Sequence, residues 1–248
     1  MSKKLFVVVL AVAVLGLANV ASADLIAHWA FDDGEGIDFA DSAGTNHGQA
    51  KGAPGAGWID GRVGGAYDFT GNGYSDYPSA TGSGTIFNSV TTQITIAFWT
   101  MANPNAASSG NVILGNGANQ YYIGAPNNAS GYLFGTGNWA DNINWVPGED
   151  FDALTWNHFA MTKDTVANEM KLYVNGKLVS TLAKESMAAL DQSGWFESWS
   201  LNVAVDDMRI YNHALTQQEV WDLPGNVPEP VTLALLGLGG LFLRRRHA

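Results

Sequence analysis

The sequence predicts an all-β fold for residues 24–223, a sandwich or barrel with one short carboxy-terminal helix, and three observations carry that expectation. The stretch is rich in Gly, Asn, Trp, Tyr and Thr, with turn-forming clusters about every ten residues. Several segments alternate apolar and polar side chains with period two, as a strand with one buried face must. Finally, MKLYV-NG-KLVSTL sets Asn175-Gly176, the positive-φ pair of a type I′ turn, between two alternating runs.

Taken in order, LIAHWAF over 25–31 and QITIAFWT over 93–100 alternate and read as strands, as does WNHFAMTK over 156–163. The Asn-Gly turn predicts a hairpin over 170–182, and the last strand runs over 206–211. Residues 215–220 read as a helix start. Thr216 caps, Glu219 reaches back to complete a capping box, and Leu215 packs on Val220 as a hydrophobic staple. No repeat of fixed period and no Pro/Ser linker divides this stretch, so it reads as one domain. About 200 residues suffice to bury a core without disulfides. The chain has no cysteine, which excludes thiolate zinc sites, thiol nucleophiles and disulfide frameworks.

The two ends read differently from the body. Residues 1–23 combine Lys3 and Lys4, an apolar run and the finish Ala21-Ser22-Ala23, the pattern of a secretory signal peptide; the alternative is an uncleaved anchor. A linker over 224–230 then leads to an uncharged, mostly apolar segment over 231–243 and a cluster of three arginines. Thirteen helical residues span roughly 20 Å, short of a hydrocarbon core of about 30 Å. Three glycines weaken that helix further. The arginines favour a cytoplasmic carboxyl end. The segment therefore reads as a transient insertion into the inner membrane, with a plain tail anchor as the alternative.

No acidic residue lies in 1–23 or 231–248, whereas Lys3, Lys4, Arg244, Arg245 and Arg246 do. The body thus holds 7 of the 12 basic residues and all 23 acidic ones, a formal charge of −16. Such a surface repels nucleic acid and anionic lipid and suits divalent cations, so no nucleic-acid partner is expected.

Two resemblances follow from these residues. The order Val227-Pro228-Glu229-Pro230, short apolar helix, then Arg244, Arg245 and Arg246 resembles the PEP-CTERM sorting signal over 231–248 and the linker before it. That resemblance implies processing by an exosortase after signal peptidase has acted, with delivery to the cell surface or the extracellular matrix. The order HWAFDDGEG…DSAGTNHG, GRVGGAYDFTGNG, ITIAFWT, WNHFAMTKD…MKLYVNGKLV and VDDMRIYNHALTQQEV resembles the laminin-G-like, concanavalin A-like jelly-roll domain over 24–223. It implies two antiparallel sheets of six or seven strands, a concave face that often binds glycans, and often a calcium ion.

Catalytic patterns are missing from the sequence. The E-x-D-x-x-E strand that would aim two carboxylates into one cleft does not occur, nor does a Gly-x-Ser-x-Gly elbow, and the five histidines lack metal-protease spacing. The expectation is a module that is not an enzyme. For calcium, which takes six to eight oxygens on turns, FDDGEGIDFADSAGTN is the richest source. The resemblance implies Asp32, Asp41 and Asn46 as ligands, joined by Asp206 or Asp207 from the last strand. Alternatively these side chains serve only the turns themselves.

Of the nine tryptophans, Trp29, Trp99 and Trp156 lie in apolar strands and Trp221 on the closing helix, and these read as core. Trp139 and Trp145 lie in GTGNWADNINWVPGED, which reads as a loop, beside Asn142 and Asn144. Aromatic rings interleaved with amides on loops can stack a sugar and bond its hydroxyls. Tyr121 and Tyr122 in GNGANQYYIG offer the same chemistry. Both stretches read equally as strand edges over the core. The expected partner is a polysaccharide or surface glycan; the alternatives are a structural or adhesive matrix protein with no sugar ligand and, less favoured, a glycoside hydrolase.

Overall fold

In the computed structural model the described residues are 25–50, 55–70, 87, 89–102, 110–114, 121–125, 131–137, 139–190, 196–199, 203–223 and 225. The expected signal peptide over 1–23 lies outside them, as do the sorting residues Val227 to Pro230 and Arg244 to Arg246. Among the described residues no helix is long and apolar enough to cross a membrane.

The strands are β1 (Leu25–Trp29), β2 (Asp38–Phe39), β3 (Gly48–Gln49), β4 (Gly57–Asp60), β5 (Gly65–Asp68), β6 (Gln93–Ala102) and β7 (Gly110–Leu114). They continue with β8 (Tyr121–Ala125), β9 (Tyr132–Thr136), β10 (Asp141–Trp145), β11 (Asn157–Asp164), β12 (Glu169–Val174), β13 (Lys177–Ala183), β14 (Phe196–Trp199) and β15 (Val203–Tyr211). One helix, α1 (Gln217–Trp221), follows. An eight-stranded sheet runs β13-β12-β11-β6-β15-β5-β4, with β1 also paired to β15; a five-stranded sheet runs β10-β9-β8-β7-β14; β2 and β3 form a small ribbon. Every pairing is antiparallel. The two-sheet architecture agrees with expectation, but the strands divide eight and five rather than six or seven to each sheet.

Local sequence accounts for several elements. Asn175 and Gly176 adopt φ 49° and 76°, so the expected turn joins β12 to β13. Thr216 caps α1 and Glu219 reciprocates, while Leu215 and Val220 bury together. Alternation then builds the core between the sheets. Ile96, Phe98, Phe159, Met161 and Leu172 face Ile123, Phe134 and Ile143 across it, all of them buried. Trp29 and Trp99 are buried as expected, Trp156 is half-buried, and Trp221 stays 36% exposed. A smaller cluster lies on the outer face of the larger sheet. There Leu215, Val220 and Leu223 cover Ala97, Ala160, Tyr173 and Tyr211.

One polar contact crosses the core. Lys163 of β11 points inward and its Nζ donates to Asp141 Oδ2 of β10 at 2.9 Å and to Thr136 Oγ1 of β9 at 2.6 Å, with both charged side chains fully buried. Lys184 reaches Asp141 Oδ1 at 2.5 Å, and the Ala188 N–H donates to Oδ2 at 2.7 Å. Burial alone would raise the Asp141 carboxyl, but Lys184, Lys163 and that N–H outweigh it and hold it below the usual carboxylate range. Removing one partner strands the other charge in the core. Asp141→Ala is therefore expected to cost about 3–5 kcal/mol in urea unfolding, and Lys163→Met/Asp141→Leu to recover part of that loss. A loss below about 1 kcal/mol would contradict the bridging role assigned to the pair.

Candidate functional site

Two places gather the residues singled out by sequence. The first lies where β1, β15 and the turn between β4 and β5 meet. In β15, Asp206 pairs with Trp99 and Arg209 with Ala97, so one extra residue is accommodated between them. The bulge places Asp207 at φ 48° and leaves Met208 in the core. Asp207 is then held by His28 Nε2 at 2.7 Å and by Arg209, whose Nη2 lies at 2.9 Å. Burial would raise its carboxyl, but these two partners keep it below the usual range.

Asp41 is saturated as well. Its Oδ1 accepts the N–H groups of His28, Ala43 and Gly44 at 2.9, 3.0 and 3.2 Å. Its Oδ2 accepts the Asn46 N–H at 3.0 Å and the Asn46 side-chain amide at 3.2 Å. This carboxylate organises the 41–46 turn through the side chain-to-backbone bonding that Asp commonly supplies. Asp32 is exposed, accepting the Gly65 N–H at 2.5 Å beside the same β4–β5 turn that Asp206 holds. Asp206 is fully buried; its Oδ2 accepts the Arg62 and Val63 N–H groups at 2.7 and 2.8 Å, and its Oδ1 has no partner.

Of the five residues expected as calcium ligands, Asp41 and Asp207 are the most fully bonded within the protein. The oxygens of Asp41 and Asp207 are committed to N–H donors, and among the described residues no group of three or more His, Asp or Glu side chains is placed to hold a metal ion. What the sequence offered as a ligand set is a hydrogen-bonded frame that fixes β1, the 41–46 turn and β15.

The second place is the outer face of the five-stranded sheet. The stretch read as a loop or a strand edge, 135–150, forms the end of β9, a turn over 137–140, and β10. Alternation along β10 sends Asp141, Ile143 and Trp145 inward and Asn142 and Asn144 outward. In backbone register Asn142 pairs with Gly135 and Gly135 with Tyr122, while Asn144 pairs with Leu133 and Leu133 with Gly124. Tyr121 occupies the alternate register, opposite Leu114. The expected grouping of Trp139 with Trp145 and of Tyr121 with Tyr122 is thus divided by the pleat. Trp145 packs on Tyr132, Phe151 and Phe159 with centroids 5.5, 5.2 and 6.4 Å away, at the border of the core.

Trp139 is different. It sits in the β9–β10 turn at φ 73°, uncommon for a bulky residue, and stays 48% exposed. Asn142 Nδ2 donates to the Trp139 carbonyl at 2.8 Å and so fixes that turn. The Asn142 Oδ1 has no hydrogen-bond partner. It lies where a Cβ at position 135 would come within 2.4 Å, so only glycine there leaves room for the amide. Sequence reading passed over Gly135. The glycine inside YLFGT was the available signal, because an isolated glycine in a strand marks a close approach.

Two expectations follow for the polar frame. Burial, against the Val63 and Arg62 N–H groups, pushes the Asp206 carboxyl up to about 6, with Asp207 and Asp32 adding repulsion. A raised folded pKa favours the protonated form, so this group's contribution is lost as pH rises from about 4 through 6. Asp206→Asn keeps an acceptor for both N–H groups without the charge. Relative to the native protein, its melting midpoint should rise between pH 4 and pH 7.5, by up to about 2–3 kcal/mol in stability; a difference independent of pH would contradict this. Second, melting in about 1 mM calcium and in chelator should give one midpoint. A higher midpoint with calcium would restore the cation to the site.

Comparison with known proteins places this geometry. A family model described as the concanavalin A-like lectin/glucanases superfamily matches residues 69–221. No curated protein matches the chain by sequence. Among solved structures, the binding domain of Paraclostridial Mosquitocidal Protein 1 is similar at TM-score 0.64 and 16% identity, covering 79% of this chain and 51% of that one. Domain 4 of AbnA, a GH43 extracellular arabinanase from Geobacillus stearothermophilus, in complex with arabinotriose, is similar at 0.61 and 19%, covering 81% and 98%. The binding domain of Botulinum Neurotoxin DC in complex with SialylT is similar at 0.56 and 18%, covering 76% and 50%. The chain spans about half the length of the toxin binding domains it matches. Each of these likenesses is one of fold, and the family model, which spans more than half of the sequence, settles the affiliation: the chain belongs to the concanavalin A-like lectin/glucanases superfamily.

Proposed function

We propose that this protein is an exported, non-enzymatic glycan-binding module that uses the outer face of its five-stranded sheet and the adjoining β9–β10 turn. One observation carries the reading. Asn142 braces, through its Nδ2, the turn that displays the half-exposed Trp139, and the exposed Asn144 stands two residues further along the same face. Amides and an indole are the groups that bond hydroxyls and stack on the apolar face of a sugar ring. Among the relatives, domain 4 of the arabinanase was solved with arabinotriose and a toxin binding domain with SialylT, which supports the same class of ligand here.

Trp139→Ala and Asn142→Ala should each weaken retention on a polysaccharide by about tenfold in affinity electrophoresis. Trp139 is exposed, so its removal should leave the urea midpoint within about 0.5 kcal/mol of the native value. Unchanged retention in both variants would remove the site. Loss of folding on Trp139→Ala would favour the structural reading of that ring.

The ends supply the delivery. In this proposal signal peptidase removes residues 1–23, the apolar segment over 231–243 inserts transiently, and an exosortase cuts near Pro228-Glu229-Pro230, leaving the body at the surface or in the extracellular matrix. Mass spectrometry of the exported protein should find a carboxyl end close to those residues; a terminus at Ala248 would contradict processing.

A further inference from the structure

Helix α1 turns Val220 onto the larger sheet and leaves Gln217, Gln218 and Trp221 on its outer side. These three residues line an open surface cavity of about 470 Å³. A second cavity, about 310 Å³, starts at the same Gln217 and extends across the outer face of the sheet to Thr162 and Lys171. The two cavities share Gln217 as a wall, so the exposed indole lies next to the recess on the sheet face. The indole is held in place: a Cβ at Gly176 would lie 2.4 Å from Trp221 Cε3, so the ring rests on the backbone of the β12–β13 turn. Gln218 is oriented too, its Nε2 donating to Asp222 Oδ1 at 2.8 Å.

An indole braced against backbone with two amide side chains beside it repeats the chemistry of Trp139, Asn142 and Asn144. Its setting is independent, because α1 covers the outer face of the eight-stranded sheet and β10 belongs to the other layer of the sandwich. The ligand's charge is set by the protein's own. A body of formal charge −16 disfavours uronate or sulfate polymers and admits neutral ones.

We propose that Trp221, Gln217 and Gln218 form a second contact site for neutral polysaccharide, on the side of the sandwich opposite Asn142, so that one molecule ties two polymer chains together. The cross-linking part rests on the glycan reading of the five-stranded sheet; the second site stands on its own residues. Two weak sites on one rigid body gain avidity on a long polymer, and their opposed placement directs that gain to bridging separate chains.

The test is affinity electrophoresis of the purified protein through gels containing arabinan, xylan, galactan or dextran, with turbidity of the same polymers in solution. Trp221→Ala should weaken retardation about tenfold and abolish polymer bridging, with Asn142→Ala doing the same from the other side. Gln217→Ala, at an exposed position, repeats the measurement without touching the indole and should also lose bridging. If Trp221→Ala and Gln217→Ala behave as the native protein while Asn142→Ala does not, the second site is overturned and the first stands. If only the α1 variants lose binding, the second site stands, and the five-stranded reading and the bridging that depends on it fall. A native protein retarded by none of the four polymers overturns both.

Discussion

The rest of the structure depends on the buried contact between Lys163 and Asp141. A sandwich of two apolar sheets can slide, because dispersion and hydrophobic burial are nearly indifferent to small shifts of one layer over the other. A charge pair in the core is not indifferent. It is tolerable only when each donor and acceptor meets its partner, and here Thr136, Lys184 and the Ala188 N–H complete the set. The contact thereby fixes β9 and β10 of one sheet against β11 of the other. It also fixes the phase of β10: with Asp141 inward, Ile143 and Trp145 must follow it, and Asn142 and Asn144 must face out.

That constraint separates two kinds of polar surface. On the larger sheet the acids are answered by nearby donors. Asp41 takes five N–H bonds, Asp207 takes His28 and Arg209, and Asp206 pins the β4–β5 turn. These groups shape the fold and keep little capacity for a ligand. On the outer face of the smaller sheet Asn142 braces the turn that carries the exposed Trp139, and Asn144 is exposed beside it. A surface whose acids are spent on backbone and side-chain donors reads as framework, and one with an exposed amide beside an exposed ring reads as a place for a ligand.

Much of the fold was legible in the sequence because its signals are local. The Asn175-Gly176 turn, the Thr216 and Glu219 capping box, and the alternation of 93–100 depend on neighbours a few residues apart. The β10 strand was not legible. DNINW places an acid at its first inward position, and that acid is tolerated only because Lys163, 22 residues onward, reaches it. Of the two readings of 135–150, loop or strand edge, the strand holds over 141–145 for that reason, and the pairing of Trp139 with Trp145 is lost with it. Similarly, the acids of FDDGEGIDFADSAGTN suggested a cation because their backbone donors cannot be seen in composition. The bulge at Asp207, which turns that residue toward His28, depends on a register set by β6 and has no local mark in VDDMRIY.

The most direct test of the account is a ¹H–¹⁵N titration of the protein with a neutral oligosaccharide such as arabinotriose, following side-chain amide and indole resonances. The account expects the Asn142 and Asn144 amides and the Trp139 indole to shift on saturation while the Trp145 indole, packed on Tyr132 and Phe151, stays in place. Asn142 and Asn144 unmoved by a ligand that binds elsewhere, or by any neutral oligosaccharide at saturating concentration, would contradict the claim that this face is the binding surface.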